Sequence, residues 1–169
     1  CVPRGVVSPL EWPMSTSVYP VQSVCKNNWM VSVIKDSHSF IHQARVYVED
    51  TDAGGIVFYA NYLKYMERAR TEFLRSLGYD KPALFDGLQF VVRSVELVYQ
   101  KPAVLDDLLD ISASLIKLSK ASFEMQQNIF RNGDLLVEGT VKIACISNDA
   151  KRPQAMPAEI HQTLKNYLC

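Results

Sequence analysis

The residues best suited to chemistry lie in one short run, Glu49-Asp50-Thr51-Asp52-Ala53-Gly54-Gly55-Ile56-Val57-Phe58-Tyr59-Ala60-Asn61-Tyr62-Leu63. Two carboxylates, Asp50 and Asp52, precede two glycines that accept backbone angles other residues resist. A helical pattern begins directly afterwards. A helix start offers unpaired backbone N–H groups and a partial positive charge, which suit an oxyanion developing on a carbonyl. With a helical N–H near Tyr59 polarising that carbonyl, Asp52 could attack it as a nucleophile or activate a water against it. Either route is hydrolysis. The same residue types also build ordinary turns, so residue types and spacing alone leave the function open.

Other reactive side chains form no comparable group. His38, His42 and His161 lie outside this run and lack triad spacing, and they read as solvated side chains. Cys1, Cys25, Cys145 and Cys169 contain no C-x-x-C pair, so neither a disulfide framework nor a zinc site is implied. Cys145 alternates with Val141 and Ile143 and reads as a small buried hydrophobe.

The elements that must position the run can be read from periodicity. Ala44, Val46 and Val48 alternate with Arg45, Tyr47 and Glu49, which predicts a first strand over 43–49. Tyr62, Met66, Ala69, Phe73 and Leu77 recur at steps of three and four, predicting one long helix over 61–77 closed by Gly78. Beyond a linker through Pro82, four runs near period two follow: 90–99, 109–118, 123–130 and 135–146. Asn132-Gly133 signals a tight hairpin, and Ser119-Lys120 leaves room only for another short reversal. Pro157 and the spacing of Ile160, Leu164 and Leu168 predict a short terminal helix over 158–168. One strand, one helix with a wide apolar stripe, and four antiparallel strands make an α+β domain whose five-stranded sheet wraps the helix. A sheet this small leaves edges that a second copy could pair with, so self-association is expected.

The chain has 169 residues, 48% of them apolar and 21% charged, with 18 basic side chains against 18 acidic. That suits one globular domain and gives no sign of nucleic-acid binding, although a neutral total still allows a local basic patch. No apolar run reaches the length of a membrane span and no signal-peptide pattern opens the chain, so a cytoplasmic location is the default. Residues 1–37 carry Pro3, Pro9, Pro13 and Pro20 without sustained periodicity and read as an irregular N-terminal extension ahead of a domain over 38–169. Removal of residues 1–29 is expected to leave folding nearly unchanged.

The stretch from Val48 to Arg70, with Glu-Asp-Thr-Asp-Ala-Gly-Gly-Ile-Val and then Ala-Asn-Tyr-Leu-Lys-Tyr-Met-Glu-Arg-Ala-Arg, resembles the 4-hydroxybenzoyl-CoA thioesterase family. Its nearer likeness is to the YbgC-like branch, acyl-CoA thioesterases associated with the bacterial Tol-Pal gene cluster. The likeness continues through Gln89-Phe90-Val91-Val92, Lys101-Pro102-Ala103, Leu105-Asp106-Asp107 and Lys142-Ile143-Ala144-Cys145, covering residues 40–160 or so. It implies a hotdog fold, a homodimer or homotetramer, and hydrolysis of an acyl-CoA without metal or organic cofactor. The family's catalytic carboxylate falls on Asp52 and its oxyanion N–H on Tyr59, while Asp50 falls in a structural place. Gly55, Val57 and Phe58 are expected to contact substrate. Glu67 is a possible secondary acid, since some hotdog thioesterases use one on the central helix; ion pairing with Lys64, Arg70 or a partner subunit is the plainer expectation. YbgC-like members usually carry His where this chain has Tyr59, so a short-chain acyl preference does not carry over. Phosphates of CoA would need cations, and Arg93, Lys101, Lys117, Lys120 and Arg131 are the candidates. A non-hydrolytic acyl-thioester binder and a hotdog dehydratase are the alternatives; the dehydratase is disfavoured because no His occurs between His42 and His161.

Overall fold

The computed structural model describes residues 39–79, 84–85 and 87–169. The extension expected over 1–37, His38 and the linker at Pro82 lie outside the described residues. The elements are β1 (Phe40–Arg45), a 3-10 turn (Val48–Asp50), α1 (Asn61–Ser76), β2 (Leu84–Phe85), β3 (Leu88–Tyr99), β4 (Leu108–Leu118), β5 (Ser122–Arg131), β6 (Asp134–Ser147) and α2 (Ala158–Lys165). They build one antiparallel sheet in the order β1-β4-β5-β6-β3-β2.

The five expected strands are present. The sixth, β2, has two residues paired with Leu88 and Gln89, too short to display any periodicity. The first strand lies earlier than expected, at 40–45 instead of 43–49. The inward parity of Ala44 and Val46 is as read, but Val48 turns out to 73% exposure. The cause is Asp50: its carboxylate accepts the Tyr47 N–H at 3.0 Å, and its own N–H reaches the Tyr47 carbonyl at 3.0 Å. Those local bonds compete with the strand and close a 3-10 turn.

α1 ends as its sequence demands. Gly78 adopts φ +94, with Gly78 N–H on the Arg75 carbonyl and Tyr79 N–H on that of Leu74, a Schellman stop. Asn132 and Gly133, at φ 50 and 88, supply the two positive angles that a type I′ hairpin between β5 and β6 requires.

The helix stripe of Tyr62, Tyr65, Met66, Ala69, Phe73 and Leu74 is buried against the inward faces of β4, β5 and β6. Toward the C-terminal end of α1, Phe73 and Leu74 join Leu115, Phe123, Met125, Ile143 and α2 residues Ile160 and Leu164. Toward its N-terminal end, Tyr62, Tyr65, Met66 and Ala69 meet Val46, Leu109, Ile111, Ile129 and Val137. Each large side chain so enclosed is worth roughly 1.5–3 kcal/mol, and that burial fixes the helix entrance against the sheet. Cys145 is buried as read, and burial pushes its thiol up from the ordinary range. Among the described residues no helix is long and apolar enough to cross a membrane.

Candidate active site

The loop between β1 and α1 is tied at both ends. Asp52 N–H bonds the Ile56 carbonyl at 2.9 Å and Gly55 N–H bonds that of Asp52 at 3.0 Å, with Gly55 at φ +77 closing the turn. The Asp50 carbonyl accepts both Phe58 N–H at 3.0 Å and Asn61 Nδ2 at 2.9 Å, joining the loop to the first residue of the helix. Val57 N–H bonds the Ala103 carbonyl at 2.9 Å, and Ile56 bridges to Val104, so the segment after β3 backs the loop.

Asp50 and Asp52, two residues apart, have opposite surroundings. Asp50 is 3% exposed and spends its carboxylate on the Tyr47 N–H. Asp52 is exposed; its Oδ1 accepts the Gly54 N–H at 2.8 Å. A Cβ on Gly54 would sit 3.1 Å from that oxygen, so the missing side chain permits the approach. Asp52 Oδ2 takes no hydrogen bond among the described residues.

Asp52 and Tyr59 line one open cleft of about 400 Å³, with Tyr62, Tyr99, Lys101 and Pro102 among its other walls. The cleft lies at the entrance of α1, whose N-cap, Ala60, provides no side-chain cap. Among the described residues, the Tyr59 N–H donates to no partner. Tyr59 is 64% exposed, and its ring packs on Phe58 at 4.5 Å between centroids. Of the expected substrate contacts, Val57 reaches the cleft wall, whereas Gly55 and Phe58 are exposed on the same loop without lining it.

Tyr62 and Tyr99 were not marked as site residues by spacing. Tyr62 reads equally well as core, and Tyr99 ends a strand; only its nearness in sequence to Lys101-Pro102 hinted at the site. Their rings meet edge to face at 5.7 Å. The Tyr62 hydroxyl accepts the Ala103 N–H at 2.9 Å. Burial pushes both phenols up, that of Tyr99 with a smaller contribution from Tyr59.

Glu67 belongs elsewhere. It lines a groove with Leu63, Lys64, Arg70 and Val92, and Thr71 Oγ1 donates to it at 2.9 Å. Within the described chain Glu67 forms no ion pair with Lys64 or Arg70, and Arg70 turns to the buried Gln127, reaching its Oε1 at 2.8 Å. Of the candidate cations, Lys101 alone reaches the cleft wall, within 3.1 Å of Asp134. Arg131 is committed to Asp107 at 2.7 Å and Lys117 lies 3.6 Å from Glu124. His42 and His161 do not line the cleft. Among the described residues no three His, Cys, Asp or Glu side chains converge as a metal would need.

The family model for the thioesterase superfamily matches residues 54–138. The acyl-CoA thioesterase YbgC of Haemophilus influenzae is 40% identical over 125 residues, covering 73% of this chain and 92% of its own. The acyl-CoA thioester hydrolase YbgC of Escherichia coli O6:H1 is 40% identical over 118 residues, covering 69% and 88%. The crystal structure of a probable thioesterase from Bartonella henselae superposes with a TM-score of 0.64 at 42% identity, covering 71% of this chain and 99% of that one.

Proposed function

The chain belongs to the thioesterase superfamily, with its hotdog fold, and is a thioester hydrolase; on that premise we propose that it cleaves an acyl-CoA to the free acid and CoA, using Asp52 and the Tyr59 N–H. The observation that carries this reading is the shared cleft: a carboxylate with one oxygen free faces the same space as the uncapped entrance of α1. The thioester carbonyl accepts the Tyr59 N–H, and the positive end of the helix stabilises the charge that grows on its oxygen. In the nucleophilic route an Asp52 oxygen bonds to the carbonyl carbon as the C–S bond breaks, and water then splits the resulting anhydride, freeing the acid and restoring Asp52. In the general-base route a water gives its proton to Asp52 while attacking the carbonyl, and the proton passes to the departing thiolate. The alternatives of a dehydratase and a non-hydrolytic binder ask nothing of a free Asp52 oxygen beside helix N–H donors.

Replacing Asp52 by Asn keeps the shape and the Gly54 hydrogen bond while removing nucleophile and base. Turnover on acyl-CoA should fall by at least about a hundredfold, with the Michaelis constant moving much less. Asp50→Asn and Glu67→Gln should lose less, or lose through stability. An Asp52→Asn enzyme that stays active while Glu67→Gln is dead would transfer the chemistry to the helix.

The working unit in this reading is a cytoplasmic homodimer or homotetramer. Its support is β3, whose outer edge from Val91 to Tyr99 has no neighbouring strand among the described residues. A long apolar edge of that kind is a pairing surface.

A further inference from the structure

We propose that Tyr99 is a positioning residue for hydrolysis, its hydroxyl holding the Tyr59 backbone so that the helix-entrance N–H meets the thioester carbonyl. The inference rests on the reading of Asp52 and Tyr59 given above. Tyr99 Oη donates to the Tyr59 carbonyl at 3.0 Å, and this is the one hydrogen bond made by Tyr59 among the described residues. The preceding peptide is held separately, by Asn61 N–H on the Phe58 carbonyl at 2.8 Å. The two bonds restrain the peptide planes on both sides of the Tyr59 α-carbon, and the Tyr59 N–H direction is set between them. Tyr99 is well anchored for this. It is the last residue of β3, paired with Val137 of β6, and its ring rests on Tyr62, whose hydroxyl is itself bonded to Ala103 N–H. The bond therefore links the sheet to the entrance of α1 across the cleft.

The Tyr99–Tyr59 bond is solvent-exposed in the free protein, so water competes for it and the fold gains little from it. Substrate filling the cleft removes that water and strengthens the bond when orientation matters. The effect should therefore appear in turnover and not in stability or binding. Burial and the neighbouring Tyr59 hold the Tyr99 phenol above its ordinary range, which keeps it a donor across neutral pH.

The test is Tyr99→Phe in the full chain, assayed on a panel of acyl-CoAs beside Asp52→Asn. A misplaced donor costs less than a deleted one, so kcat should fall about tenfold, with KM within about twofold and the melting temperature unchanged. Amide hydrogen exchange gives a second, non-catalytic readout: the Asn61 amide, bonded to the Phe58 carbonyl, should exchange faster in Tyr99→Phe while those of the β3–β6 ladder stay protected. Unchanged kcat with unchanged exchange at Asn61 would overturn the assignment, as would a loss of rate matched by a fall in melting temperature. Asp52→Asn at the parental rate would bring down the Asp52 and Tyr59 reading on which the inference rests, a result separable from failure of Tyr99→Phe alone.

Discussion

Two aspartates in one motif differ because the backbone closes around one of them. The Asp50 carboxylate is drawn inward by the Tyr47 N–H and buried, and beside it stands Tyr65, fully buried on α1. The Tyr65 hydroxyl is near enough to feel the Asp50 carboxylate, but by distance and angle it closes no hydrogen bond among the described residues. Burial first, and Asp50 second, push that phenol well above the ordinary value of 10.0. An orphaned buried hydroxyl costs roughly 1–3 kcal/mol, so Tyr65→Phe should stabilise the protein by about 1 kcal/mol at neutral pH, raising the melting temperature by about 2–4 °C. The sign with pH follows from the raised value. The folded state keeps a proton that the unfolded chain releases near pH 10, so the parent's stability is complete below that pH and lost as pH climbs through the folded value. Urea melts at pH 7 and above pH 10 should show a smaller alkaline loss in Tyr65→Phe; a destabilised variant at pH 7 would mean the hydroxyl has a partner after all. None of this was legible in the sequence. Asp50 and Asp52 are chemically alike there: the loop pattern offers Asp52 for the chemistry, and only the family resemblance assigns Asp50 a structural place. Tyr65 escaped because its place in the helix stripe emerges only when the helix is packed.

Among the elements, legibility followed length and periodicity. The sixteen residues of α1 and the long strands β3 to β6 repeat often enough for their patterns to outweigh local accidents, and their bounds fall within two residues of expectation. β1 was misplaced because a single side chain, Asp50, diverts the backbone after Val46, an interaction that periodicity does not register. The joint between helix and sheet gives a sharper test. Gly139 sits in β6 opposite Leu97, and a Cβ there would lie 2.5 Å from Leu97 Cδ2 and 3.0 Å from Met66 Cε. Both are ends of flexible side chains, so Gly139→Ala should fold with some repacking and lose about 1–2 kcal/mol in urea denaturation. Because Met66 lies on α1, that repacking reaches the element whose entrance forms the cleft. A variant as stable as the parent would show that the helix stands off from the sheet more than the contacts indicate.

At the scale of the whole molecule, the hotdog sheet is closed on neither side among the described residues, and beyond Gln89 the outer edge of β3 is open. From Val91 to Tyr99 it flanks the groove where Leu63, Val92 and Val95 meet Lys64, Arg68 and Arg70 of α1, and its last residue is the tyrosine bonded to Tyr59. A second copy laid along this edge would extend the sheet, cover the exposed Val92 and bring the groove of one protomer toward the cleft of the other. In a two-fold arrangement each contact occurs twice, so one substitution is felt twice. Val92→Lys combined with Val98→Lys, both at exposed positions, places four lysines in the seam while leaving the residues packed on the core untouched, so the fold should survive in circular dichroism. Light scattering should then show the parent at a multiple of 19.1 kDa and the variant shifted toward the single chain, with turnover falling in step. A parent that is a stable and fully active monomer would refute the pairing. A variant that dissociates completely yet keeps its rate would leave the pairing standing and show that the cleft is complete within one chain.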